Sequence, residues 1–230
     1  MATLHKSTQG AASVLVSVAL LVVGLAIGFS VAKAGNSNDN TKTSNTPVAT
    51  SATKAADFRA NLVTLGVEHM DLTDAAISAA LDGAPNAKEV GADLYGNGDK
   101  IGAAVGSIYG KDAQTTFDTV WKLHLDDFVK YAVASKGGDA AGQAAALKDI
   151  DTNYTRPLSA FLAKANPNLP KATLYSVLSD HVAQTAQMID DHVKGDYTAE
   201  AAKRDEGAQH LNGVFSTLAN GIVKQHPSKF

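Results

Sequence analysis

From Asp57 to the end of the chain, apolar residues recur three and four positions apart, which is the spacing of amphipathic helices. Alternation typical of strands is not sustained anywhere in this part of the sequence. Three stripes are the most regular: Phe58, Leu62, Leu65, His69, Leu72, Ala76 and Ala80; Phe117, Val120, Trp121, His124, Phe128 and Tyr131; Val177, Leu178, His181, Val182, Thr185, Met188 and Ile189. The pattern predicts an all-α fold with a histidine inside each stripe.

A glycine-containing turn follows each stripe at the same distance. The turns are Asp82-Gly83, Gly137-Gly138-Asp139 and Lys194-Gly195-Asp196, and glycine there permits the left-handed conformation that often ends a helix. His69, His124 and His181 each precede the last glycine of the following turn by 14 residues. This constant spacing indicates three repeated units.

Further matches support the repeat. A shift of 112 residues pairs Thr73 with Thr185 and Ile77 with Ile189. We therefore predict a six-helix bundle made of three antiparallel hairpins, at about 57–110, 112–165 and 171–226.

Counting outward from the turns predicts a polar layer in this bundle. Positions equally far from a hairpin turn lie at the same height on its two arms, since a helix rises about 1.5 Å per residue. The residues that share the level of the three histidines are Asn97, Asn153 and His210. Pro157 is expected to kink the second arm of the middle hairpin, which makes the position of Asn153 the least certain.

The layer has two interpretations. Its imidazole and amide groups could form a buried hydrogen-bond network that fixes the register of similar helices. Alternatively His69, His124, His181 and His210 could bind a transition metal or haem, because imidazole is a common ligand and bundle cores often hold such sites. Duplication without function, or solvent-facing histidines, would be a third explanation.

Composition and motifs exclude several classes of function. The chain contains no cysteine, which rules out disulfides, thiol nucleophiles and thiolate metal sites. A net charge of −3 argues against nucleic-acid binding, which requires a basic face. No phosphate loop, zinc-protease or serine-hydrolase motif occurs in the helical part. We therefore predict that the protein is not an enzyme.

The N-terminal part predicts a membrane segment. Residues 11–31 are apolar and uncharged, which is long enough to cross a bilayer as a helix. We expect residues 1–34 to be an uncleaved signal anchor, with the rest of the chain outside the cytoplasm. Cleavage after Ala34 would instead release a secreted protein, and a cytoplasmic body is a further alternative. Residues 35–56 are rich in Ser, Thr and Asn and predict a flexible stalk before the domain at 57–230.

Four strings carry a resemblance to a known group of proteins. They are SIYGKDAQTTFDTVWKLHLDDFVKYAVASKGGD, FLAKANPNLP, LSDHVAQTAQMIDDHVKGDY and GIVKQHPSKF. Together they resemble an exported bacterial helical-repeat domain, sometimes found beside copper amine oxidase-like N-terminal segments. The resemblance covers about 57–230 and implies a secreted or surface-attached helical domain without implying an activity.

These observations lead to two functional predictions. The first is a membrane-tethered extracytoplasmic binding or interaction domain, with a protein or cell-surface partner and no catalysis. The second is a metal- or haem-binding protein that uses the histidine layer in the bundle core.

Overall fold

The computed structural model describes residues 50–230, and within that range every regular element is helical. The helices are α1 (Thr50–Asp82), α2 (Ala87–Tyr109), α3 (Lys111–Lys136), α4 (Ala140–Ile150), α5 (Arg156–Ala165), α6 (Lys171–Lys194) and α7 (Tyr197–Gln225). A π-helical turn, Asp151–Thr155, joins α4 to α5, so that the two form one continuous arm. The described part of the chain therefore has six helical arms, which confirms the all-α, six-helix part of the predicted fold.

Helix α1 begins earlier than predicted. Its first residue is Thr50, inside the segment predicted to be a flexible stalk (35–56). Alanines at 52, 55 and 56 favour helix, and Ala55 is already buried against the bundle. The rest of the stalk and the predicted signal anchor, residues 1–34, lie outside the described residues. Within residues 50–230, no helix combines the length and apolar character needed to cross a membrane.

The six arms follow one another around a centre in chain order. Helix α2 packs between α1 and α3, the arm of α4 and α5 packs between α3 and α6, and α7 packs between α6 and α1. The first arms of the three hairpins, α1, α3 and α6, also contact one another. They therefore meet in the interior, and each second arm fills the space outside two of them.

The three inner helices run in the same direction. Near their C-terminal ends the Lys136 ammonium donates a hydrogen bond to the Leu81 carbonyl, and Ser135 Oγ donates to Asp190 at 2.5 Å. These contacts bring the three glycine turns to one end of the bundle, called here the turn end. Equivalent positions on α1, α3 and α6 consequently lie at similar heights, so the spacing seen in the sequence becomes a layer in space.

A π-helical turn shifts the register of the middle hairpin. The Arg156 N–H donates to the Asp151 carbonyl, five residues back, and Pro157 follows in the first turn of α5. Proline has no N–H and cannot continue the normal ladder, and a π-turn is one way for a helix to absorb an irregularity. The irregularity predicted at Pro157 is thus present in the turn before it.

Close packing between α1 and α7 predicts a sensitive glycine. A Cβ atom on Gly66 would lie 2.3 Å from the buried Phe215 ring, whereas a Cβ on Gly96 would meet nothing within 4 Å. Gly66→Ala is expected to lower the free energy of unfolding by about 1–3 kcal/mol because the ring must move. Gly96→Ala is expected to raise it by up to about 1 kcal/mol, since alanine favours helix. Urea unfolding of both variants measures these changes. Equal changes in the free energy of unfolding in the two variants would contradict the close contact between Gly66 and Phe215.

Candidate metal centre

Three of the predicted layer residues meet at the centre of the bundle. His69 comes from α1, His124 from α3 and His181 from α6, and their side chains are at most 2% exposed. The ring centroid of His69 lies 5.6 Å from that of His124 and 5.8 Å from that of His181. Each ring offers a nitrogen atom that lies within 4.8 Å of the nitrogens offered by the other two. We call these three residues the histidine triad.

The triad leaves four buried nitrogen atoms without a hydrogen-bond partner among the described residues. They are Nδ1 of His69, both ring nitrogens of His124 and Nδ1 of His181. Buried polar atoms are almost always paired, and an unpaired one costs about 1–3 kcal/mol. No hydrogen bond of the kind expected for a buried imidazole and amide network reaches these four atoms within the described residues.

Burial keeps all three imidazoles neutral at pH 7. Burial lowers the pKa of His69 to about 4. The side-chain amide of Asn97 raises this pKa, but by less than burial lowers it. Burial, assisted by the nearby His69 and His210, lowers the pKa of His181 to about 3. The pKa of His124 falls well below its usual value, again mainly through burial and then through its two triad neighbours. Neutral imidazole is the form that binds metal ions, so a metal would displace few protons.

Aromatic rings hold His124 in place. The Tyr154 ring stacks on it with centroids 4.2 Å apart, and the Trp121 ring meets it edge-on at 4.8 Å. Trp121 also lies 4.9 Å from the His69 ring. These contacts restrict the orientation of two triad rings without using their nitrogens.

The other three predicted layer residues lie outside the triad. Asn97 is fully buried beside His69, but its Nδ2 donates to the Leu65 carbonyl and to Glu68 Oε2, each at 3.1 Å. Asn153 lies in the π-helical turn and donates to Asp127 Oδ2 at 3.2 Å. His210 on α7 is half-buried, and its Nε2 donates to the Val177 carbonyl at 2.8 Å.

Helix rotation explains these departures. Counting from the turn fixes the height of a residue along its arm, whereas the direction of the side chain depends on how the helix is rotated. In the middle hairpin the π-turn changes that rotation, so Tyr154 reaches His124 in place of Asn153. The sequence did not single out Tyr154. The available signal was Pro157, which indicates an irregular helix, and hence a changed rotation, at the turn that contains Tyr154.

A cavity of about 490 Å³ extends from the triad toward the turn end, between α1, α2 and α3. All three triad histidines line it. Its walls are mainly alanine and larger apolar residues, among them Ala76, Ile77, Leu94, Leu125 and Phe128. Exposed residues such as Val129, Val133 and Lys136 form its outer end. The triad is thus buried but adjoins a chamber of a size typical of ligand sites.

The triad has the dimensions of a metal site that needs a small contraction. Three points 4.8 Å apart have a centre about 2.8 Å from each, compared with about 2.0–2.1 Å for zinc and imidazole nitrogen. Side-chain movements below 1 Å would bring the nitrogens into contact with one ion. Haem fits less well, because its axial ligands bind on opposite faces of a flat macrocycle and these three nitrogens leave no space for one.

Comparisons with known proteins give no relative from which a role of the triad could be inferred. No family model, curated protein or solved structure gives a significant match to the chain. The resemblance to an exported helical-repeat domain therefore stays a prediction.

A second buried polar cluster lies at the turn end, between α1, α6 and α7. Nδ1 of His192 lies 2.8 Å from Glu200 Oε1 and 3.2 Å from Ser78 Oγ, and its Nε2 lies 3.2 Å from Asp82 Oδ1. A serine–histidine–acid relay needs the serine and the acid on different ring nitrogens. Ser78 Oγ contacts Nδ1 and the acid on Nε2 is Asp82, but the Ser78 hydroxyl donates its proton to Glu200 Oε1 at 2.8 Å and not to the imidazole. The cluster is therefore not arranged as such a relay.

Proposed function

We propose that the helical domain binds one divalent transition-metal ion through His69, His124 and His181. The observation that carries this proposal is the convergence of three buried, neutral imidazoles, four of whose six ring nitrogens are buried without a partner among the described residues. A bound ion would satisfy one nitrogen of each ring and remove much of the cost of burying them unpaired.

Ligand chemistry narrows the choice of ion. Three imidazole nitrogens suit zinc, copper, nickel and iron(II), whereas calcium and magnesium prefer oxygen ligands. Three protein ligands also leave a fourth coordination position, which is the arrangement of zinc sites that bind a further molecule. The adjoining cavity is the side from which that molecule would arrive.

The proposal includes the location expected from the sequence. Residues 11–31 would anchor the chain in the membrane and hold the metal-binding bundle outside the cytoplasm, or cleavage after Ala34 would release it. A tethered bundle of this kind would store, sense or present its ion, with or without a protein or cell-surface partner. Catalysis is not part of the proposal.

Cobalt(II) titration of the full chain, purified in detergent without a polyhistidine tag, tests the site. We expect visible absorption bands of nitrogen-coordinated cobalt that saturate at one ion per chain and disappear when zinc is added. His210→Asn is the matched control, because His210 lies outside the triad and should leave the bands unchanged. Absence of the bands, or their loss in His210→Asn with retention in His181→Asn, would contradict the proposed ligands.

A further inference from the structure

The cavity beside the triad has a distribution of polar groups that defines what it can bind. On the basis of the proposed metal site, we infer that the fourth coordination position of the ion takes a small organic anion with an apolar tail, of the monocarboxylate class. The carboxylate would bind the ion at the triad, and the tail would lie along the cavity toward the turn end.

Charge is the first argument. Three neutral imidazoles contribute no negative charge, so a divalent ion at the triad would keep its full charge inside an apolar chamber. An isolated buried charge is strongly unfavourable unless it is paired. Lys136, which is cationic, is the one charged side chain among the residues described as lining the cavity. No carboxylate is among the described residues that line the cavity, so the neutralising group would come from a bound ligand.

The second argument concerns the polar groups that are already in use. The Thr73 hydroxyl donates to the His69 carbonyl at 2.7 Å, and the Thr185 hydroxyl donates to the His181 carbonyl at 3.0 Å. The Tyr95 hydroxyl donates to Asp126, and the Lys136 ammonium donates to the Leu81 carbonyl. The Lys136 ammonium keeps two further donors, but it stands at the exposed outer end of the cavity. In the interior, the polar atoms without any partner are the unpaired imidazole nitrogens, which places the polar end of a ligand at the triad.

The walls provide the third argument. Helix α1 lines the cavity from His69 to Leu81, a distance of about 18 Å along its axis. Between these ends the lining is mainly apolar, its hydroxyl groups being those already hydrogen-bonded, and small residues such as Ala76, Ala80 and Gly91 leave it open. An inorganic anion would neutralise the ion but leave these walls without contacts. A tail of several methylene groups would bury apolar surface along them.

The outer end fits the entry of an anion. Lys136 is exposed and stands there beside the exposed side chains of Val129 and Val133. A cation at the entrance attracts a negatively charged ligand, and the two valines offer apolar contact to its tail.

The test uses the cobalt-loaded full chain and straight-chain carboxylates from acetate to octanoate. Carboxylate binding at the ion shifts the visible bands of cobalt, which gives a dissociation constant for each member. We expect affinity to rise about threefold to fourfold per methylene group as the tail fills the cavity. Octanol and octanamide, which have similar tails and no negative charge, should shift the bands only at much higher concentration.

Two glycines of α2 provide matched variants for the cavity. A Cβ atom at Gly91 or at Gly96 would meet nothing within 4 Å, but only Gly91 lines the cavity. Gly91→Leu should keep cobalt binding and lose most of the dependence of affinity on chain length. Gly96→Leu should behave like the unmodified chain in both measurements.

The outcomes separate the two proposals. Failure to bind cobalt overturns the metal site and, with it, the ligand. Cobalt binding with equal affinities for acetate and octanoate, or with an unchanged chain-length dependence in Gly91→Leu, overturns the inferred ligand and leaves the metal site standing.

Discussion

Replacing His124 with leucine is expected to stabilise the metal-free bundle and to abolish its metal binding. Both ring nitrogens of His124 are buried without a partner among the described residues, so an apolar side chain of similar size removes an unfavourable burial. We expect the free energy of unfolding in chelator to rise by about 1 kcal/mol or more. The affinity for cobalt or zinc should fall at least about 100-fold. Losing a residue that only hydrogen-bonds to a metal ligand already lowers metal affinity by up to about 100-fold, and His124 is proposed as a ligand itself.

Thermal unfolding with and without zinc measures both effects at once. The unmodified chain should gain about 2.7 kcal/mol of stability when free zinc is 100 times its dissociation constant, and His124→Leu should gain none. A purely structural polar layer predicts the opposite, namely a less stable variant, because leucine would leave hydrogen-bond partners unsatisfied. A destabilised His124→Leu chain in chelator would therefore favour the structural interpretation.

Acid is expected to unfold the metal-free protein steeply. The histidines of the unfolded chain take up protons near pH 6.5, whereas His69 and His181 in the folded bundle do so only near pH 4 and 3. Between these values the unfolded state binds more protons, so stability falls as the pH falls. In this pH window each buried histidine lowers the free energy of unfolding by about 1.4 kcal/mol for every unit by which the pH falls.

One carboxyl group opposes this trend. Burial, followed by the proximity of Glu200, raises the pKa of Asp74 to about 6, so the folded state takes up this proton first and acid stabilises it. Asp74 is one partly buried group against three fully buried histidines, so we expect a net loss of stability below pH 6.5. Urea unfolding in chelator at pH 7, 6 and 5 measures the slope. A flat profile, or an equal slope in His124→Leu, would show that the triad does not control it.

The amino-acid pattern was sufficient for the fold because the relevant signals are local. Apolar residues at helical spacing specify an amphipathic helix, and a glycine that follows it specifies where the helix ends. These signals placed the hairpins at 57–110, 112–165 and 171–226, and the helices observed agree with them. The start of α1 at Thr50 was missed because serine and threonine next to alanine give a weak signal for either state.

The candidate site was predicted only in part, since it depends on rotation as well as height. Equal spacing from the glycine turns placed His69, His124 and His181 at one level, and all three first arms rotate their histidine inward. The same counting could not show that α7 directs His210 to the Val177 carbonyl. Nor could it show that the π-turn brings Tyr154 to His124.

The sequence by itself determined the helices, their ends, the threefold repeat and the level at which histidines recur. These features depend on neighbours three, four or fourteen residues apart along one chain segment. Only the tertiary structure decided which polar residues meet, that four ring nitrogens of the triad stay unpaired within the described bundle, and that a cavity of about 490 Å³ reaches the triad. Those properties arise where three helices distant in sequence pack together, and the side chains of all three fix the result.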